Sequence, residues 1–462
     1  MTHAVPIHRW AVALLAALAL LCAGAAAADA ADYVPGEVIV GYRAPQASLS
    51  TNAARVMGVR SVAATPSPGV QVVRLAPEVS VWNAIARARR EPGVAYAVPN
   101  YIAHVAGAFY PNDPGGTHLP GGWAALQWNF SAANGVDAPA AWANLIADGR
   151  PGGRGVTVAI VDTGVAYRNW RQYTRSPDFG STRFIDPYDF VANNRYPLDA
   201  NGHGTFVAGT VAESTNNGVG VTGLAYGASL MPIRVLDAAG EGDAATIARG
   251  IRYAVTHGAE VINLSLEFDV TVTAGDIPDV VSAIGFAHRR GVVVVAAAGN
   301  DSQQALAYPA RAPFVISVGA TTADRCLAEY SNGGAGLDVV APGGGDDSST
   351  LGESNCFPDR SLPDIYQMTF ADPFDPRKFS LPSGWYGTSM AAPHVAATAA
   401  LVIASGVLGR RPAPDQVLAR LEQTAQPLGG SRPNRNYGYG LVDAGAATAA
   451  PTQAARDHRR SR

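Results

Sequence analysis

The chain has 462 residues, 48% of them hydrophobic and 15% charged, with a formal net charge of −3. A chain of this length holds more than one domain and a large core. Its sparse, nearly balanced charge gives no basis for nucleic-acid binding or for a strongly acidic partner.

In chain order, "MTHAVPIHRW" gives a weakly positive start, and "AVALLAALALLCAGAAAADA" follows with an apolar run and small-residue cleavage sites near Ala28 or Ala30. This pattern predicts a secretory signal peptide over residues 1–30. The apolar run is shorter than the roughly 18 residues of a membrane span, so no membrane attachment is expected once it is removed. The expected location is extracellular or periplasmic. Cys22 follows Leu20 and Leu21, a poor fit to a lipidation site. Two cysteines remain beyond the leader, Cys326 and Cys356, at a spacing that fits no zinc pattern. An oxidising compartment favours a disulfide between them; two separate thiols are the alternative.

Residues 31–107 read as a small α+β unit. "EVIVGYR" and "QVVRLA" are β-rich, and "GVAYAVPNYIAHVA" is extended. "SVWNAIARARRE" has helical spacing, with Val81, Ile85 and Ala88 on one face and arginines on the other. "FYPNDPGGTHLPGGW" is a Pro/Gly-rich linker. Residues 108–450 then alternate. Apolar strands ("GVTVAIVD", "SLMPIRVLD", "AEVINLSL", "VVVVAAAGN", "FVISVGATT", "LDVVAPG") are separated by helical patterns ("GTFVAGTVAES", "DAATIARGIRYAVTHG", "IPDVVSAIGFAHRRG"). That alternation predicts an α/β fold with a mostly parallel sheet covered by helices on both faces. Residues 451–462 form a short basic tail, expected to be disordered.

Three stretches carry chemistry together. "AIVDTGV" places Asp162 at a strand end, where ligands gather in parallel sheets. "DANGHGTFVAG" places His203 in a glycine-rich turn that opens a helix, and "GTSMAAPHVA" places Ser389 in the same kind of position. A serine hydroxyl needs a base, an imidazole supplies one near neutral pH, and a buried carboxylate orients the imidazole. His394, five residues after Ser389, lies about 140° round a helix from it and reads as a packed core histidine. Pro393 reads as a first-turn proline.

These three blocks, in the order Asp, His, Ser, resemble the signatures of the subtilisin-like serine proteases (subtilases), over roughly residues 125–447. Residues 31–107 resemble the family's prodomain, an intramolecular chaperone and inhibitor. The resemblance implies a self-processing zymogen that cleaves polypeptides, a secreted monomeric endopeptidase cut near His104–Ala108. In it Asp162 orients His203, His203 is the general base, Ser389 the nucleophile, and Asn300 of "VVVVAAAGN" an oxyanion donor. Gly240, Glu241 and Gly242, with Ser265, Leu266 and Glu267, match the segments that clamp an extended substrate. "TNNGVGVTG" resembles a structural calcium loop, with Asn217, the carbonyls of Thr215, Val219 and Val221, and also Gln127 and Asp178 as ligands; oxygen donors of this kind suit calcium. The chemistry itself needs no cofactor. Three departures stand out: Glu267 where the family commonly has glycine, Phe206 where many relatives have histidine, and a long stretch from Gly343 to Tyr386. Glu267 can narrow the cleft, attract a basic side chain, or point to solvent.

Overall fold

The structure is a computed structural model of the chain. It describes residues 33–44, 48–64, 67–76, 79–101, 109–116, 121–348, 353, 355–356, 363–372 and 375–450. The leader over 1–30, the processing segment His104–Ala108 and the tail 451–462 lie outside the described residues. The chain divides into two units, Met1–Ala103 and His104–Arg462.

The first unit is an antiparallel sheet of β1 (Tyr33–Tyr42), β2 (Val59–Ala64), β3 (Val70–Leu75) and β4 (Val94–Tyr101), in the order β2-β3-β1-β4. Two helices, α1 (Thr51–Met57) and α2 (Val81–Ala88), accompany it. Alternation along β1 turns Val38 and Val40 into a core with Met57, Val73, Ala84, Ile85 and Ala97. Neither α1 nor β2 was legible in the sequence. The helix spans only seven residues, and its boundaries are local: Ser50 caps it by accepting the Ala53 N–H at 3.1 Å, and Gly58 ends it at φ 70°.

In the second unit, runs such as "TVAIVD" are apolar at successive positions because both faces of their strand are covered. The strands are β5 (Thr157–Asp162), β6 (Arg183–Phe184), β7 (Tyr188–Asp189), β8 (Ser229–Arg234), β9 (Val261–Leu264), β10 (Val293–Ala297), β11 (Val315–Thr321) and β12 (Val339–Pro342). They pair in the order β12-β11-β10-β9-β5-β8-β6, with β7 also on β8, and every pairing is parallel. Val158 and Ile160 of β5 face one core; Ala159 and Val161 face the other. Fully burying one such valine or isoleucine is worth about 1.5–3 kcal/mol.

The first core holds α3 (Ala138–Ala147), α4 (His203–Ala212) and α7 (Thr388–Ser405). The second holds α5 (Ala244–Thr256), with Ile247, Ile251 and Ala254 inward as their spacing predicts, and α6 (Pro278–Arg289). Helices α8 (Pro414–Thr424) and α9 (Ala444–Thr448) close the chain against the first core. Among the described residues α7 alone is long and apolar enough to cross a membrane, yet 78% of it is buried in the fold. A helix apolar all round is a core helix when protein surrounds it.

Cys326 and Cys356 form a disulfide with Cα atoms 4.4 Å apart, so the alternative of two separate thiols falls. The bridge joins the turn after β11 to the long segment after β12. That segment adds a small antiparallel pair, β13 (Thr369–Phe370) with β14 (Phe379–Ser380). Closing a loop of 30 residues restricts the unfolded chain by on the order of 3 kcal/mol. Replacing both cysteines by serine should therefore lower the urea midpoint of the second unit by a corresponding amount. An unchanged midpoint would show that the bridge tethers nothing.

Candidate active site

The sheet order reverses at β5. The chain leaves it through α4 to β8 on one side, then returns to β9 on the other. The carboxyl end of β5 is thus a switch point, where an open parallel sheet forms a crevice. Asp162 is the last residue of β5 and fully buried. Its Oδ1 accepts the Thr163 N–H at 2.7 Å and faces His203 Nδ1 at 2.7 Å. His203 is the first residue of α4, and this helix start is tied to the strand end. Thr163 Oγ1 accepts the Gly204 N–H at 2.9 Å and donates to Asp199 Oδ1 at 3.0 Å, while Asp199 Oδ2 accepts from Thr205. Position 204 must be glycine, because a Cβ there would collide with the Gly164 carbonyl.

With Nδ1–H donated to a carboxylate, the lone pair of His203 lies on Nε2. Burial, the largest influence, pulls its pKa down. The charge and hydrogen bond of Asp162, with the charge of Asp199, outweigh it and leave the pKa above its ordinary value.

Ser389 is the second residue of α7. Pro393 lies at the sixth position, not in the first turn as the sequence reading has it, because the helix begins only at Thr388. A proline there leaves the Ser389 carbonyl without its intrahelical donor. Ser265 Oγ donates to that carbonyl at 2.8 Å, and Ser389 Oγ donates back to the Ser265 carbonyl at 3.3 Å. The pair locks the serine to the end of β9. Ser389 and His203 line one cleft of about 500 Å³; no direct hydrogen bond joins them, as is common in unliganded sites. Gly240, Glu241 and Gly242, and Ser265, Leu266 and Glu267, line the same cleft.

Asn300 follows β10. Its Oδ1 accepts from Thr388 N at 2.8 Å and Thr388 Oγ1 at 3.0 Å, which fixes the amide against the start of α7. Its Nδ2 donates to Glu267 Oε1 at 3.1 Å, and its backbone N–H to Glu267 Oε2 at 3.0 Å. Glu267 thus turns its carboxylate onto Asn300. Burial is the main reason its pKa is raised; the Asn300 bonds lower it and the charge of Asp301 raises it.

His394 is fully buried, with Nδ1 on the Met390 carbonyl and Nε2 facing Asn129 Nδ2, both at 2.8 Å. Desolvation pulls its pKa down to about 4. It is a neutral core histidine. Phe206 stacks on Trp385 with ring centroids 4.8 Å apart, and Trp385 lies 6.2 Å from the His203 ring. The long 343–386 segment therefore covers the position where the sequence departs from the family.

The residues of the expected calcium loop come together, with one addition. Asp178 Oδ1 accepts from Asn217 Nδ2 at 2.8 Å, and Asp178 Oδ2 from Val221 N at 2.9 Å. Gln127 joins the same loop, its amide exchanging two hydrogen bonds with the backbone of Thr222 at 2.8 and 3.0 Å. Asp113 comes in as well, accepting from the N–H groups of Asn216 and Asn217 at 2.8 and 2.9 Å. It belongs to "YPNDP", which reads as linker; an acid held between prolines is the only signal available. Buried Asp178 and Glu213 have raised pKa values, from desolvation first and then from neighbouring acid charges. A hard cation beside them would remove that repulsion, so the oxygen-rich set fits one. Among the described residues no group of three His, Cys, Asp or Glu side chains is arranged to hold a metal.

Comparison with known proteins agrees with the geometry. The subtilase family profile matches residues 153–440, and the fervidolysin N-terminal prodomain profile matches residues 23–100. A thermophilic serine proteinase of Bacillus sp. (strain AK1) is 34% identical over 88% of this chain and 86% of its own. Subtilisin Savinase of Lederbergia lenta is 36% identical over 70% of this chain and 98% of its own. A solved protease of Pseudoalteromonas arctica PAMC 21717 superposes with a TM-score of 0.58 at 30% identity, covering 73% of this chain and 98% of that one. The chain belongs to the subtilase family: it is a subtilisin-like serine protease with an N-terminal prodomain.

The environment of His203 makes a direct prediction. Its ring should protonate with a midpoint above about 6.5 by NMR titration. Asp162→Asn removes the outweighing charge and should drop the midpoint below that of the parent. A parent midpoint at or under the ordinary value would contradict the arrangement described.

Proposed function

We propose that the protein is a secreted serine endopeptidase, made as a self-processing zymogen, that works through Asp162, His203 and Ser389. The observation that carries this reading is the bond from His203 to buried Asp162 within the cleft that also holds Ser389. His203 Nε2 takes the proton of Ser389 Oγ as Oγ attacks the scissile carbonyl. The oxyanion is met by the second Nδ2 hydrogen of Asn300 and by the Ser389 N–H, which has no intrahelical acceptor at the second position of a helix. His203 then gives its proton to the leaving amine, and water repeats the cycle on the acyl-enzyme. Asp162 holds the tautomer and stabilises the imidazolium. Gly240–Gly242 and Ser265–Glu267 clamp the substrate as an added strand.

Residues 1–30 are the leader, 31–107 the prodomain that inhibits until cut near His104–Ala108, 108–450 the peptidase domain and 451–462 a tail. Wild-type protein should be recovered cut between the two units and should label with a fluorophosphonate. Ser389→Ala should stay uncut and unlabelled, with kcat down by on the order of 10⁶, the scale for the serine of a subtilisin triad. Asn300→Ala should cost about 10²–10³ in kcat, again the scale for a subtilisin. Labelling that survives Ser389→Ala would overturn the assignment.

For structural calcium, Gln127, Asp178 and Asn217, joined by Asp113, would supply side-chain oxygens, with the carbonyls of Thr215, Val219 and Val221. When bound, calcium supplies charge balance to these acids and takes no part in the chemistry. A chelator should lower the melting temperature of the parent, and added calcium should restore it. Asp178→Asn should blunt both responses. A melting temperature indifferent to chelator would remove calcium from the account.

A further inference from the structure

We propose that Glu267 makes the oxyanion donor Asn300 responsive to substrate charge, so that the cleft selects polypeptides with arginine or lysine on the acyl side of the scissile bond. This rests on the peptidase reading above and goes beyond it.

Glu267 is an exposed residue, but its carboxylate does not swing free in solvent. It is held by two hydrogen bonds to one residue, Oε1 from Asn300 Nδ2 at 3.1 Å and Oε2 from Asn300 N at 3.0 Å. It also lies over Gly299, where φ is 112° and a Cβ would meet Glu267 Oε2 at 2.5 Å. A side chain at position 299 would also displace Asn332, so glycine there leaves the carboxylate its place. An Asn amide nitrogen has two hydrogens. Glu267 takes one, and the other remains for the oxyanion.

That sharing has an electrostatic consequence. An oxyanion within hydrogen-bond reach of Nδ2 stands about 5–6 Å from the carboxylate that accepts from the same nitrogen. Two negative charges at that separation in a partly desolvated cleft repel strongly. The other charged groups deepen the problem. Asp301 is the next residue after Asn300, and its charge acts on Glu267. Glu241 lines the same cleft. No lysine or arginine is among the residues lining it; the one imidazole there is His203, the general base. The missing partner is a cation, and the substrate is what can bring one. The residue whose carbonyl is attacked branches one bond from that carbonyl, so its side chain is the one nearest Glu267. A guanidinium or ammonium there would neutralise Glu267 as the oxyanion forms. A carboxylate there would be repelled.

Preference of this kind appears in kcat as well as in KM, because the repulsion grows as the oxyanion develops. The test is a peptide series that differs only at that residue (Arg, Lys, Leu, Glu), with kcat and KM measured separately on the processed protein. Arg and Lys peptides should exceed the Leu peptide by about tenfold or more in kcat/KM, part of it in kcat, and the Glu peptide should be slowest. Glu267→Gln retains an acceptor for Asn300 and removes the charge. It should bring Arg and Leu within about twofold of each other by slowing the first and speeding the second. If Gln is not tolerated, Glu267→Gly, the family's common residue, should collapse the ratio in the same way. A purely structural Glu267 would instead slow every peptide equally. Equal wild-type rates on Arg and Leu, or a ratio unchanged by both variants, would overturn the inference and leave the peptidase reading intact. Failure to cleave any peptide or to label Ser389 would overturn that reading and this inference with it.

Discussion

A hydrogen bond between a buried carboxylate and an imidazole, Asp162 to His203 at 2.7 Å, is the constraint around which the second unit is arranged. A carboxylate with no exposed surface is unfavourable unless its oxygens are matched. The sheet order, the glycine at 204 and the Thr163–Asp199–Thr205 network all act to bring the start of α4 against the end of β5. Loosening any of them would cost Oδ1 its imidazole partner, and Oδ2 has no partner among the described residues to compensate. Stability and site geometry therefore make the same demand here, which is why the site sits on secondary-structure ends and not on loops.

The same economy of parts governs α7. It is a largely buried helix and also carries Ser389 at its second position. Pro393 would ordinarily damage such a helix, since it leaves a carbonyl without a donor. The carbonyl so released belongs to Ser389, and Ser265 Oγ fills it. The apparent defect thus becomes a tie between the nucleophile's backbone and the end of β9. Thr388, one residue earlier, ties the same helix start to Asn300. The ends of two sheet strands and one helix are cross-linked by side chains within a few residues of the cleft.

Much of this was legible in the sequence, for identifiable reasons. The strands and α5 follow from apolar runs and 3.6-residue spacing. Asp162, His203, Ser389 and Asn300 stand out because each lies at an element end in a recognisable block. What was not legible depends on tertiary position. Helix α1 is too short to carry a period, and β2 has no buried face to mark one, since Arg60, Ser61, Val62 and Ala63 are all exposed. Asp113 lies over a hundred residues from Asn216 and Asn217, and only folding shows that its carboxylate faces their N–H groups. Gln127 is named by the resemblance, and only folding shows its amide on the backbone of Thr222 in the same loop. Phe206 reads as a loss of polarity until Trp385, nearly two hundred residues on, is seen stacked on it.

Glu267 is the sharpest case. From the sequence it can fill the cleft, attract a cation or point to water, and these readings differ only in where a carboxylate ends up. Its bonds to Asn300 aim the carboxylate at the donor although the residue stays exposed, and so join the first two. An acid that fills space and also shares its donor's nitrogen acts on charge developing at that nitrogen, not merely on the width of a pocket. The physical reason is distance: a wall residue influences binding through contact, whereas a charge one hydrogen bond from the oxyanion donor influences the transition state through its field. Where a family position given to glycine acquires such an acid, selectivity and rate become properties of the same two hydrogen bonds.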